Sequence, residues 1–397
     1  MKLGYDDHVE AFRAEFRAWL ADHAPSQEAM AADPARSSAH RPDWAKAWAR
    51  RMFDDGWLVP GWEPGRGGRD AGPIETLVYL EELARAGVPR TTNPQGLGIV
   101  APSLFDFGTP EQIRDYAMPV LRGERTACLG MSEPGAGSDL ASLSTRAVVD
   151  GDDFVINGQK VWTSGANDAD FCFLFCRTDP SAPKHKGISV VLVDMDTPGI
   201  TVRPLAEIIH PDRAELAEVF FADVVVPRSN LVGRLNDGWA MANGSLAHER
   251  GMVWLMSVLE LEEDVQELVA EASGQLARLG PIEQAVFADR IAGSYVDALA
   301  ARALGYRGFA KLVRGGSAPE QALMKAFCSE SHQRACLLGA ELGADEGTDL
   351  GAPGHDPKTT CSWAERYFLS FASTISAGSS EIQRNIIAEK VLGLPRG

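Results

Sequence analysis

The stretch CLGMSEPGAGSDL, residues 128–140, is followed a short distance on by NGQKVWTSG, residues 157–165. Gly135, Ala136 and Gly137 fall between a strand end and Ser138-Asp139, where small residues let backbone N–H groups approach a ligand closely. GAG alone also reads as a plain glycine-rich turn. Its surroundings decide the fold, because the hydrophobic period changes here. STRAVVDGDDFVING forms two alternating segments about an Asp-Gly-Asp-Asp turn, and FCFLFCRT, GISVVLVDMD, ITVRPLA and AEVFFADVVVP are β-rich runs cut by Gly, Pro and Asp. Residues 126–235 therefore read as a middle domain of short antiparallel strands.

On either side the period is helical. VEAFRAEFRAWLADH, DWAKAWARRMFDDG and IETLVYLEELARAG repeat apolar residues at three- and four-residue steps, with Gly56 and Gly87 placed as C-terminal caps. Residues 1–125 are thus expected to be an N-terminal helical domain. From about 237 helical patterns return, with later segments near 281–312, 318–343 and 362–391, so residues 236–397 read as a C-terminal helical bundle. Its Gly/Pro/Asp-rich stretch at 347–360 reads as an exposed loop. The resulting class is α+β multidomain.

Composition excludes some partners. A net charge of −17 disfavours nucleic acid and anionic membranes, so a phosphate-bearing ligand must be held by local N–H groups and a few placed Arg residues. The six cysteines form no CxxC pair, and no metal site is expected. Cys172 and Cys176, four apart on a strand, should share a buried face. The acidic, amphipathic N-terminus is unlike a secretory signal and no apolar run matches a bilayer, which points to the cytoplasm.

MSEPGAGSDL together with NGQKVWTSG resembles the acyl-CoA dehydrogenase family. So do GWLVPGWEPGRGGRDAGPIETLVYLEELARAG, FGTPEQIRDYAMPVLRGE, EVFFADVVVPRSNLVG and SSEIQRNIIAEKVLGLPR, so the likeness spans nearly the whole chain. It implies a helical domain, a β-domain and a four-helix bundle through which subunits assemble. It also implies FAD. Leu129 through Ser138 match the segment that wraps the flavin, with Met131 and Ser132 beside the ring, Gly137 in the turn and Ser138 near the thioester. Trp162, Thr163 and Ser164 match the segment on the other side. The chemistry agrees, since Trp162 can pack on an extended ring while Ser132 and Ser164 bond its heteroatoms; core packing at a strand end is the other reading of Trp162.

Members of this family take a proton from the carbon next to the thioester carbonyl while the β-carbon passes hydride to flavin N5. Many keep the basic glutamate in the C-terminal turn, where this chain has Ala377 in TISAGSSEIQRN. Branches resembling the isovaleryl-CoA and long-chain enzymes keep it on a bundle helix before an Arg, and SLAHERGMVW supplies Glu249 and Arg250. Leu246, Met252, Val253 and Met256 place Glu249 on an apolar stripe, where desolvation would strengthen it as a base. A surface charge or structural ion pair is the alternative. The resemblance gives Arg250 to the CoA moiety, the Ala377 N–H and Gly378 to the thioester, and Ser379 to Glu381 to the flavin. His248 receives no role.

Two departures stand out. LARLGPIEQAVFADR lacks the Phe-Gly stretch that elsewhere reaches a neighbouring subunit's FAD, and LLGAELGAD leaves Gly343 as the candidate for the adenine side. Both resemble actinobacterial dehydrogenases, some of them heterotetramers acting on CoA thioesters of steroid side chains. The expected reaction is α,β-dehydrogenation of an acyl-CoA, or of a carrier-bound acyl thioester, to the trans-2-enoyl product. An electron-transfer flavoprotein or another acceptor would reoxidise the flavin, in a homotetramer, dimer or heterotetramer with a paralogous subunit. A flavin oxidase or monooxygenase of the same superfamily, or a non-catalytic subunit, is the alternative function.

Overall fold

The apolar steps of the N-terminal segments close into helices that share one aromatic core. In the computed structural model, which describes residues 4–209, 215–242, 253–316, 320–343, 350 and 362–395, the chain divides into two compact units, 1–249 and 250–397. The first begins with α1 (Asp7–His23), α2 (Gln27–Ala32), α3 (Asp43–Asp54) and α4 (Pro73–Ala86). Phe16 of α1 is fully buried, its ring 4.5 Å from Trp57 and 4.7 Å from Tyr79. Gly56 and Gly87 have φ of 74° and 62°, so both serve as the left-handed stops expected of them. Periodicity gave no hint that α4 is buried on its polar side too. Glu82 there accepts from Arg17 at 2.6 Å and pairs with Arg13 and Arg85, an ion network that ties α1 to α4.

Next come α5 (Ala101–Phe107), α6 (Pro110–Gln112) and α7 (Met118–Leu121), with π-helical turns at Gly96–Val100 and Ile113–Ala117. Asn93 links this layer to the sheet, giving Nδ2 to the Ala127 carbonyl at 2.9 Å and taking the Ala127 N–H at 2.9 Å.

The β-rich runs become β1 (Ala127–Gly130), β2 (Arg146–Asp150), β3 (Asp153–Ser164), β4 (Phe171–Arg177), β5 (Ile188–Asp194), β6 (Ile200–Pro204), β7 (Leu216–Pro227) and β8 (Leu231–Val232). They order as β6-β7-β3-β2-β4-β5-β8, with β1 beside β4. Pairing is antiparallel except that β1 and one rung of β2 run parallel to β4. Cys172 and Cys176 share a buried face, and Cys128 lies opposite Cys172 in the same core as Phe154, Val191 and Val219. Burial pushes the Cys176 thiol up to about 12, which suits inert packing.

The second unit packs α8 (Val253–Leu276), α9 (Pro281–Val313), α10 (Glu320–Leu342) and α11 (Trp363–Ile375). Leu268, Ile291, Leu338, Leu342 and Trp363 form a core among them. Glycines set two crossings: a Cβ on Gly305 would lie 2.2 Å from the Trp254 ring, and one on Gly339 2.2 Å from that of Trp363. The last helical segment, expected near 362–391, carries the turn read in TISAGSSEIQRN. It turns at 376–379 and resumes as α12 (Ser380–Ile386), because Ala377 and Gly378 take φ of 53° and 92°. The loop expected at 347–360 lies outside the described residues apart from Leu350. Among the described residues no helix is long and apolar enough to cross a membrane.

Candidate active site

β1 and the end of β3 bring together the two motifs. Val161 N–H donates to the Ser132 carbonyl at 2.9 Å, and Glu133 and Ala136 exchange backbone bonds that close the loop into a hairpin-like turn. Below them lies a fully buried Lys160, whose Nζ reaches the Met131 carbonyl at 3.0 Å and the Glu133 carboxylate at 2.8 Å. Ser144 N–H, Ser144 Oγ and Thr145 N–H also donate to that carboxylate. Burial opposes ionisation of Glu133, but the Lys160 ammonium and these bonds hold its carboxyl at about 2. Burial brings Lys160 below the usual lysine range, and the Glu133 charge offsets part of that. Neither residue was singled out from the sequence. The signal available was Lys160 on an inward-facing position of a strand and a carboxylate in the facing loop.

Between Lys160 and Thr163 the ladder to β7 shifts, marking a bulge on β3. Trp162 sits in it at φ 59° and is 61% exposed. The core-packing alternative for this ring therefore fails. Thr163, its neighbour, is buried, and its Oγ1 has no hydrogen-bond partner among the described residues. Ser38 Oγ is likewise buried without one, and it abuts the same strand end, where a Cβ on Gly165 would lie 3.0 Å from it. Gly135 and Gly137 stand open, with nothing among the described residues within 4 Å of an added Cβ. Leu129 and Met131 are half-buried, as are Ser132 and Ser164, whereas Ser138 is exposed.

The second unit carries the other candidates. Ala377, Gly378 and Ser379 form the turn into α12, Glu381 lies in the first turn of that helix, and Gly343 follows the last residue of α10. Lys325 Nζ donates to the Gly378 carbonyl at 2.6 Å and Gln383 Nε2 to that of Ala377 at 3.1 Å. Glu381 is exposed, with its carboxyl lowered chiefly by its own backbone N–H and by Ser379. Glu249, Arg250 and His248 lie outside the described residues. Of the apolar stripe expected around Glu249, Met256 is 46% exposed, so that face is not buried at its C-terminal end within this unit.

The N-terminal, middle and C-terminal domain profiles of acyl-CoA dehydrogenases match residues 6–124, 128–224 and 236–392. The chain belongs to the acyl-CoA dehydrogenase family. Acyl-CoA dehydrogenase IpdE1 of Mycobacterium tuberculosis is 35% identical over 395 residues, covering 98% of each chain. Among solved structures, the Tcur3481–Tcur3483 steroid ACAD superposes with a TM-score of 0.82 at 30% identity, covering 100% of both chains. The ChsE4–ChsE5 complex from Mycobacterium tuberculosis gives 0.80 at 29%, with the same coverage. This acyl-CoA dehydrogenase is accordingly a flavin-dependent oxidoreductase, with the helical, β-sheet and helical order of its family. Its residues fit a flavin. The orphaned Thr163 hydroxyl, the exposed Trp162 ring and an open glycine turn offer hydrogen bonding and stacking that the described residues do not use.

Proposed function

We propose that the chain converts an acyl-CoA thioester to its trans-2-enoyl form with FAD as cofactor and Glu249 as base. The observation that carries the reading is the bulge on β3, where Trp162 and the partnerless Thr163 Oγ1 stand beside the Met131–Ser138 loop. Leu129, Met131, Ser132, Gly137 and Ser138 would hold one side of the flavin and Trp162, Thr163 and Ser164 the other, with Gly343, Ser379 and Glu381 as further contacts. FAD, when bound, supplies a hydride acceptor at N5 for the substrate β-carbon. The chain's own residues handle the proton: Glu249 takes it from the α-carbon, and the Ala377 N–H with Gly378 donates to the carbonyl oxygen on which negative charge grows. Ser138 lies by the thioester and Arg250 holds the CoA moiety. Support for Glu249 comes from the turn, where Ala377 offers no proton acceptor.

The Tcur3481–Tcur3483 and ChsE4–ChsE5 complexes each join two differently named chains, and the first is a steroid enzyme. This supports a paralogous partner and a bulky acyl group; an electron-transfer flavoprotein or another acceptor would reoxidise the flavin, with the cytoplasm as the expected compartment. The test is anaerobic mixing of the holoprotein with a panel of acyl-CoA thioesters, scored by loss of flavin absorbance. Glu249→Gln should slow bleaching by at least 1000-fold, as expected when the only base for a weak carbon acid is removed (on the order of 4 kcal/mol). Bleaching by the variant at the wild-type rate refutes the assignment.

A further inference from the structure

We infer that Lys325 is a positioning residue: by holding the Gly378 carbonyl it fixes the direction in which the 377–379 turn presents its N–H groups. The inference rests on the reading of Gly378 as a thioester contact and Ser379 as a flavin contact, which it deepens. Lys325 lies half-buried on α10, and its Nζ is 2.6 Å from Gly378 O. Gln383, on α12, holds the preceding carbonyl of Ala377 at 3.1 Å. A trans peptide points its N–H opposite its C=O. Gripping the Ala377 oxygen therefore aims the Gly378 N–H, and gripping the Gly378 oxygen aims that of Ser379. The N–H groups of Ala377, Gly378 and Ser379 donate to nothing among the described residues.

The turn needs such a hold. Ala377 at φ 53° is disfavoured by roughly 1–2 kcal/mol for a residue with a Cβ, and Gly378 at φ 92° follows it. A charge-assisted bond from an ammonium is stronger than a neutral one, and the partial burial that draws Lys325 below the usual lysine range strengthens it further. Glu330 and Glu381 act in the other sense. Lys325 thus acts through the turn backbone and carries no proton in the reaction.

Holoprotein variants Lys325→Met, Lys325→Gln and Lys325→Arg test this, with far-UV circular dichroism selecting whichever neutral variant folds. The thioester that bleaches wild-type flavin fastest is mixed anaerobically with each. The neutral variant should lower the limiting bleaching rate roughly 10- to 100-fold with the apparent thioester Kd changed less than threefold, since a small misplacement near the reacting atoms costs about that much. Arginine should restore at least a third of the rate. Amide exchange at Ile382 and Gln383, whose acceptors are Ser379 Oγ and O, should quicken about tenfold in the neutral variant while α10 is unchanged. Unchanged exchange shows that Lys325 does not hold the turn, and faster exchange with wild-type bleaching shows that the turn does not position the thioester; either overturns the inference. If no thioester bleaches the wild type, the proposed function falls, and the inference with it, whatever the exchange reads.

Discussion

At the scale of single residues, the buried Lys160–Glu133 pair is the strongest constraint on the flavin-side loop. One carboxylate collects Lys160 Nζ, two backbone N–H groups and a hydroxyl, while the same ammonium also holds the Met131 carbonyl. A break at either end leaves a buried charge uncompensated. The sign of the pH effect follows from Glu133, which is 6% exposed with its folded carboxyl at about 2, below an unfolded value near ~4.3. A depressed carboxylate adds stability above the unfolded pKa and loses it as pH falls toward the folded one. That contribution is about 3 kcal/mol from the difference between the two values. The gap in unfolding free energy between wild type and Glu133→Gln should therefore be widest above pH 5 and narrow by about that amount toward pH 2. Urea titrations at several pH values check this, and a gap that stays constant contradicts the assigned ionisation.

At the scale of elements, the bundle depends on glycines that let aromatic rings approach helix backbones. Gly339 of α10 leaves no room for a methyl against Trp363 of α11, whose indole Nε1 is tied to Glu271 at 2.8 Å and cannot easily retreat. Gly339→Ala gains a little helix propensity but overpacks this crossing, and the second effect is larger. We expect a net loss of about 1–3 kcal/mol, seen as a lower Tm in calorimetry, whereas Gly274→Ala, with nothing within 4 Å, should be neutral or stabilising. These crossings also mark where sequence stops informing. Strands such as β4 and β5 and helices α1, α3 and α4 were legible because their apolar period is a local property. The turn after Ile375 was legible from its small residues Ser376–Ser379, but the left-handed φ of Ala377 and the side chains that restrain it from outside were not. The same contrast holds for the candidate site. Trp162 and Thr163 could be named from their motif, but the bulge that turns one outward and the other inward depends on register with β7. Lys160–Glu133, Asn93 and Lys325 join residues distant in sequence, and nothing in their own segments announces the partner.

At the scale of the whole molecule, a chain of net charge −17 needs apolar area to hold a second chain against its own repulsion. The bundle unit offers it on α9. Ile282, Val286 and Val296 are 82%, 52% and 62% exposed, and at about 100° per residue they fall within an arc of roughly 80°. Gly293 lies on the same arc with nothing near a Cβ, so a neighbouring backbone could come close there. A stripe of this kind on a helix marks an interaction surface, since large apolar side chains aligned on one face are costly to leave in water. The occupant we propose is a second chain of the same fold, because the stripe carries few charges to steer a polar ligand. Placing a further carboxylate on it, at Val296, would bury an uncompensated charge in the contact, which costs on the order of 3 kcal/mol, or about 100-fold in dissociation constant. Val296→Asp should therefore shift the sedimentation profile from the assembled to the smaller species at micromolar protein, with circular dichroism unchanged. Asp289→Ala, on the same arc, should strengthen or preserve assembly. If Val296→Asp sediments as the wild type does, α9 is not the face through which these chains meet.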